Sequence, residues 1–137
     1  MDRVIKFRAK RNSNTNKDWV YGVPVPNFAD EGWMLTKDGT CINVDVNTLC
    51  EYTNMTDENN EEIYEGDIVF CYSVSSQSDM MDMVVTFTAG GFRLIPYADY
   101  FHLSPPKKMV IDYPLWRFRK TVVGDIYNNN EIGERKV

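Results

Sequence analysis

Short runs of β-branched and aromatic residues, each ended by a turn signal, constrain the fold of this chain more than any other feature. No segment shows the apolar period of a long helix. The Asp-Gly pair at 38–39 and the Gly-Gly pair at 90–91 each lie between two apolar runs, which is typical of β-hairpins. This pattern predicts a mainly β fold, a small barrel or sandwich with at most one or two short helices.

The first third of the chain predicts a β meander. Ile5, Phe7 and Ala9 alternate with Lys6 and Arg8, which indicates a half-buried strand whose outer row is basic. Further strands, separated by polar or proline-containing turns, are expected at 19–23, 33–35 and 40–46.

The rest of the chain predicts a strand at 63–72, a hairpin and a closing strand at 121–127. Gly66 lies where the acidic turn meets the first of these strands, and it permits a positive φ that other residues resist. A single helical turn is expected at 97–103. The apolar side chains expected to share one face of the hairpin are Val85, Phe87, Phe92 and Leu94.

One domain is the expectation for 137 residues, of which 43% are hydrophobic, because such a chain can bury one ordinary core. We predict the meander over residues 3–46, a core barrel over roughly 48–127 and a polar tail over 128–137.

The net charge of −5 is unevenly distributed. Residues 1–11 carry +4, residues 27–67 carry −10 and residues 93–120 carry +4. If these blocks stay apart, the charged surface favours head-to-tail self-association or a charged partner. The alternative, which we prefer, is that the blocks neutralise one another across the fold, since most surface charges are only solvated.

The cysteines and the N-terminus indicate a reducing compartment. Cys41, Cys50 and Cys71 form an odd set without a C-x-x-C pair, which favours free thiols over a disulfide framework. No apolar run approaches the roughly 20 residues of a membrane span. Residues 1–6 carry charges where a signal peptide would be apolar. We therefore expect a soluble, unexported, cytoplasmic protein with no membrane contact.

The segment Tyr64-Glu65-Gly66-Asp67 ends in a Gly-Asp pair, and a second Gly-Asp pair occurs at Gly124-Asp125. In a structural interpretation, each Gly-Asp bend leads into a strand and the carboxylate accepts backbone N–H bonds. In a chemical interpretation, Asp67 and Asp125, joined by Asp45 or Glu65, converge on an acid/base site or on a site that holds Mg²⁺ in a metal-assisted hydrolase. The structural interpretation is preferred, because aspartates at strand starts are far more often turn acceptors.

Other catalytic patterns are weaker. His102 is the only histidine, so a zinc centre would need it together with all three cysteines, whose spacing fits no known finger or ribbon. The cysteines lie in or beside predicted strands and are expected to pack as small apolar residues rather than to form a Cys-His nucleophile pair. Gly90-Gly91 lacks the lysine and the helix that a phosphate loop requires. We predict no catalytic residue, no metal and no cofactor.

The segment 107–120 is the best candidate for a contact surface. If it is extended, its aromatic and basic side chains alternate between two faces, a mixture that binds single-stranded nucleic acid. The competing interpretation places the aromatic rings in the core and pairs the arginines with the acidic middle segment. The candidate contact residues are Tyr113, Trp116, Arg117, Phe118, Arg119 and Lys120.

Three segments, Ile5–Ala9, Glu51–Val69 and Val122–Tyr127, together resemble the YopX family of phage and prophage proteins. The resemblance implies a mainly β protein with an SH3-like small barrel and additional N-terminal strands, found in the bacterial host cell. It implies no particular activity. Where the family turn carries glycines, this chain has Asn54 and Asn60, and asparagine replaces glycine at positive φ most readily.

Three functions are therefore considered. The first is a noncatalytic phage accessory protein that binds another protein or itself, most simply as a homo-oligomer. The second is a single-stranded nucleic-acid binder that uses the 107–120 segment, which the sequence pI of 4.8 disfavours. The third is a metal-assisted hydrolase that uses Asp67 and Asp125.

Overall fold

The computed structural model describes residues 3–13, 18–25, 32–72, 81–88, 90–102 and 113–128. The chain divides into two compact units, Met1–Asn54 and Met55–Val137. The prediction of a mainly β fold is confirmed, because strands account for most of the described residues. The assignment of all 137 residues to one domain stays a prediction, and the tail predicted at 128–137 lies outside the described residues apart from Asn128.

The first unit is an antiparallel meander, as predicted. Its strands pair with their neighbours in the order β4-β3-β2-β1-β5. The turn between β3 and β4 contains Gly39 at a φ of 90°, and the Gly39 N–H donates to the carbonyl of Thr36 at 3.0 Å. The strands are β1 (Phe7–Lys10), β2 (Trp19–Pro24), β3 (Trp33–Leu35), β4 (Cys41–Asn43) and β5 (Cys50–Thr56), which continues into the second unit.

One face of the meander forms the core of the first unit. Ala9 lies directly opposite Val20 across β1 and β2, and both are buried against Met34 and Val44. Phe7, Ile42 and Leu49 pack around this cluster. The strict side-chain alternation of strands therefore sends the odd residues of β1 and the even residues of β2 inward.

Two expectations for the first unit are wrong. Ile5 lies before β1 and is 67% exposed, and the predicted basic outer row is interrupted because Arg8 is buried, with its guanidinium 4.1 Å from the centre of the Trp19 ring. The strand expected at 40–46 ends at Asn43, because Asp45 accepts the N–H of Asn47 at 3.0 Å and begins the 3₁₀ helix Val46–Thr48.

The second unit is built on a five-stranded antiparallel sheet in the order β10-β9-β8-β7-β11. Within the described residues β10 and β11 are its two edges and do not pair, so the expected closed SH3-like barrel is wrong. Closure requires the first and last strands to hydrogen-bond, and β11 pairs with β7 alone. The elements are β6 (Glu62–Tyr64), β7 (Asp67–Tyr72), β8 (Met81–Thr88), β9 (Gly91–Pro96), α1 (Tyr97–Tyr100), β10 (Tyr113–Pro114), β11 (Arg119–Asp125) and the 3₁₀ helix Ile126–Asn128.

The central strands of this sheet are covered on both faces. Val69, Met83 and Leu94 belong to a buried cluster on one face. Ile68 and Val84 lie opposite each other on the other face, against the rings of α1 and Phe101. Burial on two sides explains why β7 contains the unbroken apolar run 68–72 and β8 the run 83–85, rather than alternating apolar and polar residues.

The predicted hairpin and helical turn are confirmed. Val85 pairs with Leu94 and Phe87 pairs with Phe92, with the two phenylalanine rings edge to face at 5.1 Å. The single turn of α1 lies inside the segment where one helical turn was expected.

Gly66 adopts the positive φ predicted for it, 88°. Its N–H donates to the carbonyl of Val85 at 2.8 Å, and its own carbonyl accepts the N–H of Ile126 at 2.9 Å. Asn54 and Asn60 have φ values of 66° and 63°, so both adopt the left-handed region, as expected for asparagine at positions where the resemblance implies glycine.

Gly66→Val is expected to lower the free energy of unfolding by about 1–3 kcal/mol, because a β-branched residue is strained at this φ and both backbone bonds of residue 66 are buried. The measurement is urea unfolding followed by tryptophan fluorescence. Asn60→Gly serves as the control, since it removes backbone strain and is expected to be at least as stable as the wild type. An unchanged unfolding midpoint for Gly66→Val contradicts the assigned role of this residue.

Candidate functional site

The segment predicted as a contact surface forms a turn, not a continuous extended strand. β10 ends at Pro114, whose carbonyl accepts the N–H of Arg117 at 3.1 Å, and β11 begins at Arg119. Leu115 is 5% exposed and belongs to the core of the second unit. The expected alternation of two faces is therefore wrong over 115–118, since it depends on an extended backbone.

The aromatic residues of this segment separate into buried and exposed positions. The rings of Tyr113 and Phe118 pack edge to face at 5.3 Å and lie against the same core cluster. Trp116 instead is 69% exposed, and Arg117 beside it is also exposed. The core interpretation holds for two of the three rings, and Trp116 is the exception.

Arg119 and Lys120 are occupied by contacts within the second unit. The Arg119 guanidinium pairs with the Glu58 carboxylate and lies 5.4 Å from the centre of the Tyr72 ring. Lys120 is 5% exposed, its Nζ donates to the carbonyl of Phe118, and burial lowers its pKa. Trp116, Arg117 and Arg119 are the exposed members of the predicted contact set, and Arg119 is engaged by Glu58. We call the other two the Trp116–Arg117 turn.

Ion pairs among the described residues connect the acidic block with both basic blocks. Arg3 pairs with Glu51 at 2.9 Å in the first unit, and Arg119 pairs with Glu58 in the second. Each pair joins the acidic middle block to one of the basic blocks. These contacts support the preferred interpretation, in which the charge blocks partly neutralise one another.

Asp57 is a structural residue that the sequence reasoning missed. Its carboxylate accepts the N–H groups of Asn59 at 2.8 Å, Glu61 at 2.9 Å and Val122 at 2.9 Å. The first two bonds close the turn between β5 and β6, and the third fixes this turn to β11. The only sequence signal was an aspartate two residues before an asparagine pair, which predicts an Asx turn but not its distant partner.

The two Gly-Asp pairs do not both lead into a strand, as the sequence analysis predicted. Gly66-Asp67 opens β7, whereas Gly124-Asp125 closes β11 after a bulge, and the two aspartates lie opposite each other across the ladder. Asp67 accepts the N–H of Tyr64 at 2.8 Å, and Asp125 accepts the N–H of Tyr127 at 2.9 Å. Both carboxylates act as turn acceptors, as the structural interpretation expects.

The geometry of the acidic residues gives the hydrolase hypothesis no support. Asp45 caps a 3₁₀ helix in the first unit. Tyr64 is buried and donates its hydroxyl to Glu62 at 3.0 Å, while Glu65 lies in the turn before Gly66. Among the residues that the structure describes, no group of three or more His, Cys, Asp or Glu side chains could hold a metal ion.

The three cysteines are free thiols in different surroundings. Cys41 is exposed, whereas Cys50 and Cys71 are buried. Burial raises the pKa of Cys71 to about 12. His102 lies on an exposed turn after α1, at a φ of 56°.

A surface in the first unit was also missed. β2 carries apolar residues on both faces, because Tyr21 and Val23 point away from the core that contains Val20. Tyr21, Val23 and Leu35 are each at least 39% exposed and line a groove with a volume of about 430 Å³. The sequence did contain a signal for this surface. A strand with one solvated face normally alternates apolar and polar residues, whereas β2 has apolar residues at both odd and even positions.

Comparison with known proteins supports the fold over nearly the whole chain. The family model described as "YopX protein" matches residues 6–132. The crystal structure of protein EF1440 from Enterococcus faecalis is similar, with 19% sequence identity, a TM-score of 0.55 and coverage of 96% of this chain and 99% of that chain. At this identity the likeness shows the fold alone. Among curated proteins, none matches this chain.

In the part of the chain that the structure describes, no helix has the length and apolar character needed to cross a membrane.

The stability of the protein is expected to depend on the ionisation of Asp57. Burial raises the pKa of this carboxyl, but the backbone N–H bonds of Val122, Glu61 and Asn59 outweigh burial and hold the pKa below its ordinary value of 3.8. Because the native pKa is the lower one, the stabilisation is complete above 3.8 and is lost as the pH falls through the native value.

Asp57→Asn is therefore expected to lower the free energy of unfolding at neutral pH by about 1–3 kcal/mol and to flatten its decline in acid. The measurement is urea unfolding at a series of pH values. Equal acid dependence in the variant and the wild type would refute this role of Asp57.

In the native protein at alkaline pH, Cys41 is expected to react with a thiol reagent while Cys50 and Cys71 are protected, because only Cys41 is exposed. The number of reactive thiols is counted with Ellman's reagent before and after unfolding in guanidinium. Cys41→Ser is the control and should abolish the native reaction. Rapid native labelling of that variant would show that the buried thiols are accessible.

Proposed function

This chain belongs to the YopX family, and we propose that it is a noncatalytic accessory protein that acts by binding another protein or a second copy of itself. The proposed contact surface of the second unit is the Trp116–Arg117 turn. A phage or prophage origin and a cytoplasmic location are part of the same proposal. The first derives from the resemblance to the family, and the second is favoured by the three free thiols.

The exposure of Trp116 is the observation that carries the proposal. An indole that is 69% exposed leaves a large apolar surface in water, which is unfavourable unless the surface is covered by a partner. Tryptophan and arginine are the residues most enriched at the energetic centres of protein interfaces. Here they are adjacent, which supports a contact role for this turn.

The turn is also held in place by its neighbours. Leu115 on one side and Phe118 on the other are anchored in the core of the second unit, and the Arg117 N–H is bonded to Pro114. The turn therefore loses less conformational entropy when a partner covers Trp116 than a mobile loop would. This pre-organisation supports binding rather than incidental exposure.

Single-stranded nucleic acid is the second candidate, because an exposed indole beside an exposed guanidinium can stack on a base and pair with a phosphate. Protein binding is preferred for two reasons. Arg119 is occupied by Glu58 and Lys120 is buried, so two of the three basic residues in this predicted surface are engaged. The sequence pI of 4.8 also disfavours a polyanionic ligand.

Trp116→Ala is expected to abolish self-association if the partner is a second copy. The measurement is light scattering across protein concentrations, in which the wild type rises above its chain mass of 15.9 kDa and the variant does not. Phe87→Ala is the matched control, since Phe87 is another exposed ring of the second unit, 49% exposed. It is expected to associate as the wild type does.

If the wild type is monomeric at all concentrations, a photoreactive phenylalanine at position 116 is expected to crosslink to one protein of the bacterial host, and the same group at position 87 is not. Monomeric behaviour without a crosslink specific to position 116 would refute protein binding at this turn. A salt-dependent shift of a labelled oligonucleotide that disappears in Arg117→Ala would establish the second candidate instead.

A further inference from the structure

The Trp116–Arg117 turn has an acidic neighbour in the second unit. The turn between β5 and β6, residues 57–61, which we call the acidic turn, is fixed to the first half of β11. The N–H of Glu58 donates to the carbonyl of Lys120 at 3.2 Å, and the Glu58 carboxylate pairs with the guanidinium of Arg119. At most about 7 Å of extended chain separates Arg119 from the Trp116–Arg117 turn. The two turns therefore lie close together at the start of β11.

The two turns expose side chains of opposite charge. The backbone of Glu61 is held by Asp57, whose N–H donates to the Glu61 carbonyl at 2.8 Å and whose carboxylate accepts the Glu61 N–H at 2.9 Å. The side chains of Glu61 and Arg117 are both exposed, and within the described residues neither of them forms an ion pair. The second unit thus presents a carboxylate and a guanidinium on two anchored turns, with the indole of Trp116 beside the guanidinium.

This mixture of charges restricts the partner. A uniformly acidic surface, nucleic acid included, would be repelled by Glu58 and Glu61, and a uniformly basic surface would be repelled by Arg117 and Arg119. A partner that covers Trp116 must instead place an acid opposite Arg117 and a base opposite Glu61. A second copy of the chain carries both groups at the required separation, because a two-fold axis between them brings each charge of one copy to the opposite charge of the other.

We propose that the second unit forms a two-fold symmetric dimer through these two turns. Arg117 of each copy pairs with Glu61 of the other copy, and the two Trp116 rings are covered between them. This inference rests on the proposed function, and it names a second copy as the partner that the Trp116–Arg117 turn binds. Because opposite charges adjoin on one patch, a closed dimer is favoured over the head-to-tail chain that widely separated charge blocks would favour.

The backbone contacts of the two turns support this mode of association. The acidic turn is bonded to β11 through Glu58 and through the Asp57 carboxylate, which accepts the N–H of Val122. The Trp116–Arg117 turn is anchored by Leu115 in the core. The separation of the two charges is therefore set before association, which reduces the conformational entropy that the dimer loses.

The test reverses each charge in turn. Arg117→Glu places two acids opposite each other at both contacts of the dimer, and Glu61→Arg places two bases there. Each variant is expected to raise the dissociation constant of the dimer at least about tenfold. The measurement is light scattering across protein concentrations, in which the wild type approaches twice its chain mass of 15.9 kDa.

Restoration of the dimer identifies the pairing. An equimolar mixture of Arg117→Glu and Glu61→Arg is expected to form a heterodimer with the affinity of the wild type, because both of its contacts then join opposite charges. Native mass spectrometry identifies this heterodimer, since the two variants differ in mass. The double variant Arg117→Glu/Glu61→Arg is likewise expected to associate with itself. A merely structural role of either residue would give no such restoration.

Lys37→Glu is the matched control, because it makes the same change of charge at an exposed residue of the first unit. It is expected to dimerise as the wild type does. Glu61→Arg moves the net charge of −5 two units towards zero, so greater overall repulsion cannot explain its loss of dimers. Urea unfolding midpoints of the charge variants at low protein concentration are expected to match that of the wild type, since both side chains are exposed.

The inference is overturned if the wild type is monomeric at all concentrations, if either charge reversal dimerises as Lys37→Glu does, or if the mixture stays monomeric. A monomeric wild type that still crosslinks from position 116 to a host protein would refute the dimer and leave the proposed function intact. Dimers that respond to the charge reversals but survive Trp116→Ala would refute the proposed role of Trp116 and leave the pairing of Arg117 with Glu61 intact.

Discussion

The second unit depends on the left-handed backbone of Gly66. The N–H of this residue donates to the carbonyl of Val85 and its carbonyl accepts the N–H of Ile126, so a single residue joins the start of β7 to β8 and to the end of β11. A residue with a Cβ would be strained at a φ of 88°, and glycine removes that cost. The registers of β7 with β8 and with β11 then bring Ile68, Val69, Val84 and Val85 into a core that is buried on both faces.

Aspartate carboxylates stabilise other turns of this unit, and their hydrogen bonds to the backbone bear on function. Asp57 binds three backbone N–H groups, and Asp67 and Asp125 each bind one at a turn. A carboxylate occupied in this way stabilises a turn and has less capacity to bind a substrate or an ion. The exposed groups of the described residues include instead the indole and the guanidinium of the Trp116–Arg117 turn. These are features of recognition, on which the proposed function is built.

The sequence predicted local features better than distant ones. Two hairpins and the positive φ values of Gly66, Asn54 and Asn60 were all predictable, because each depends on a few neighbouring residues. Closure of the sheet was not predictable from the sequence. It depends on whether β10 and β11 pair, and no local sequence pattern determines whether two distant strands pair. The exposure of the candidate contact residues was only partly predictable. Composition indicated a segment that mixes aromatic and basic residues, but only the turn at 115–118 separates the exposed Trp116 from the packed Phe118.

Native-state amide hydrogen exchange, followed residue by residue, tests most directly whether the hydrogen bonds of Gly66 and Asp57 stabilise the second unit. The account predicts that the amides of Gly66 and Val122, which donate to Val85 and to the Asp57 carboxylate, exchange as slowly as the best protected amides of β7 and β8. Exchange at either amide as fast as at the exposed Gly90 would contradict it.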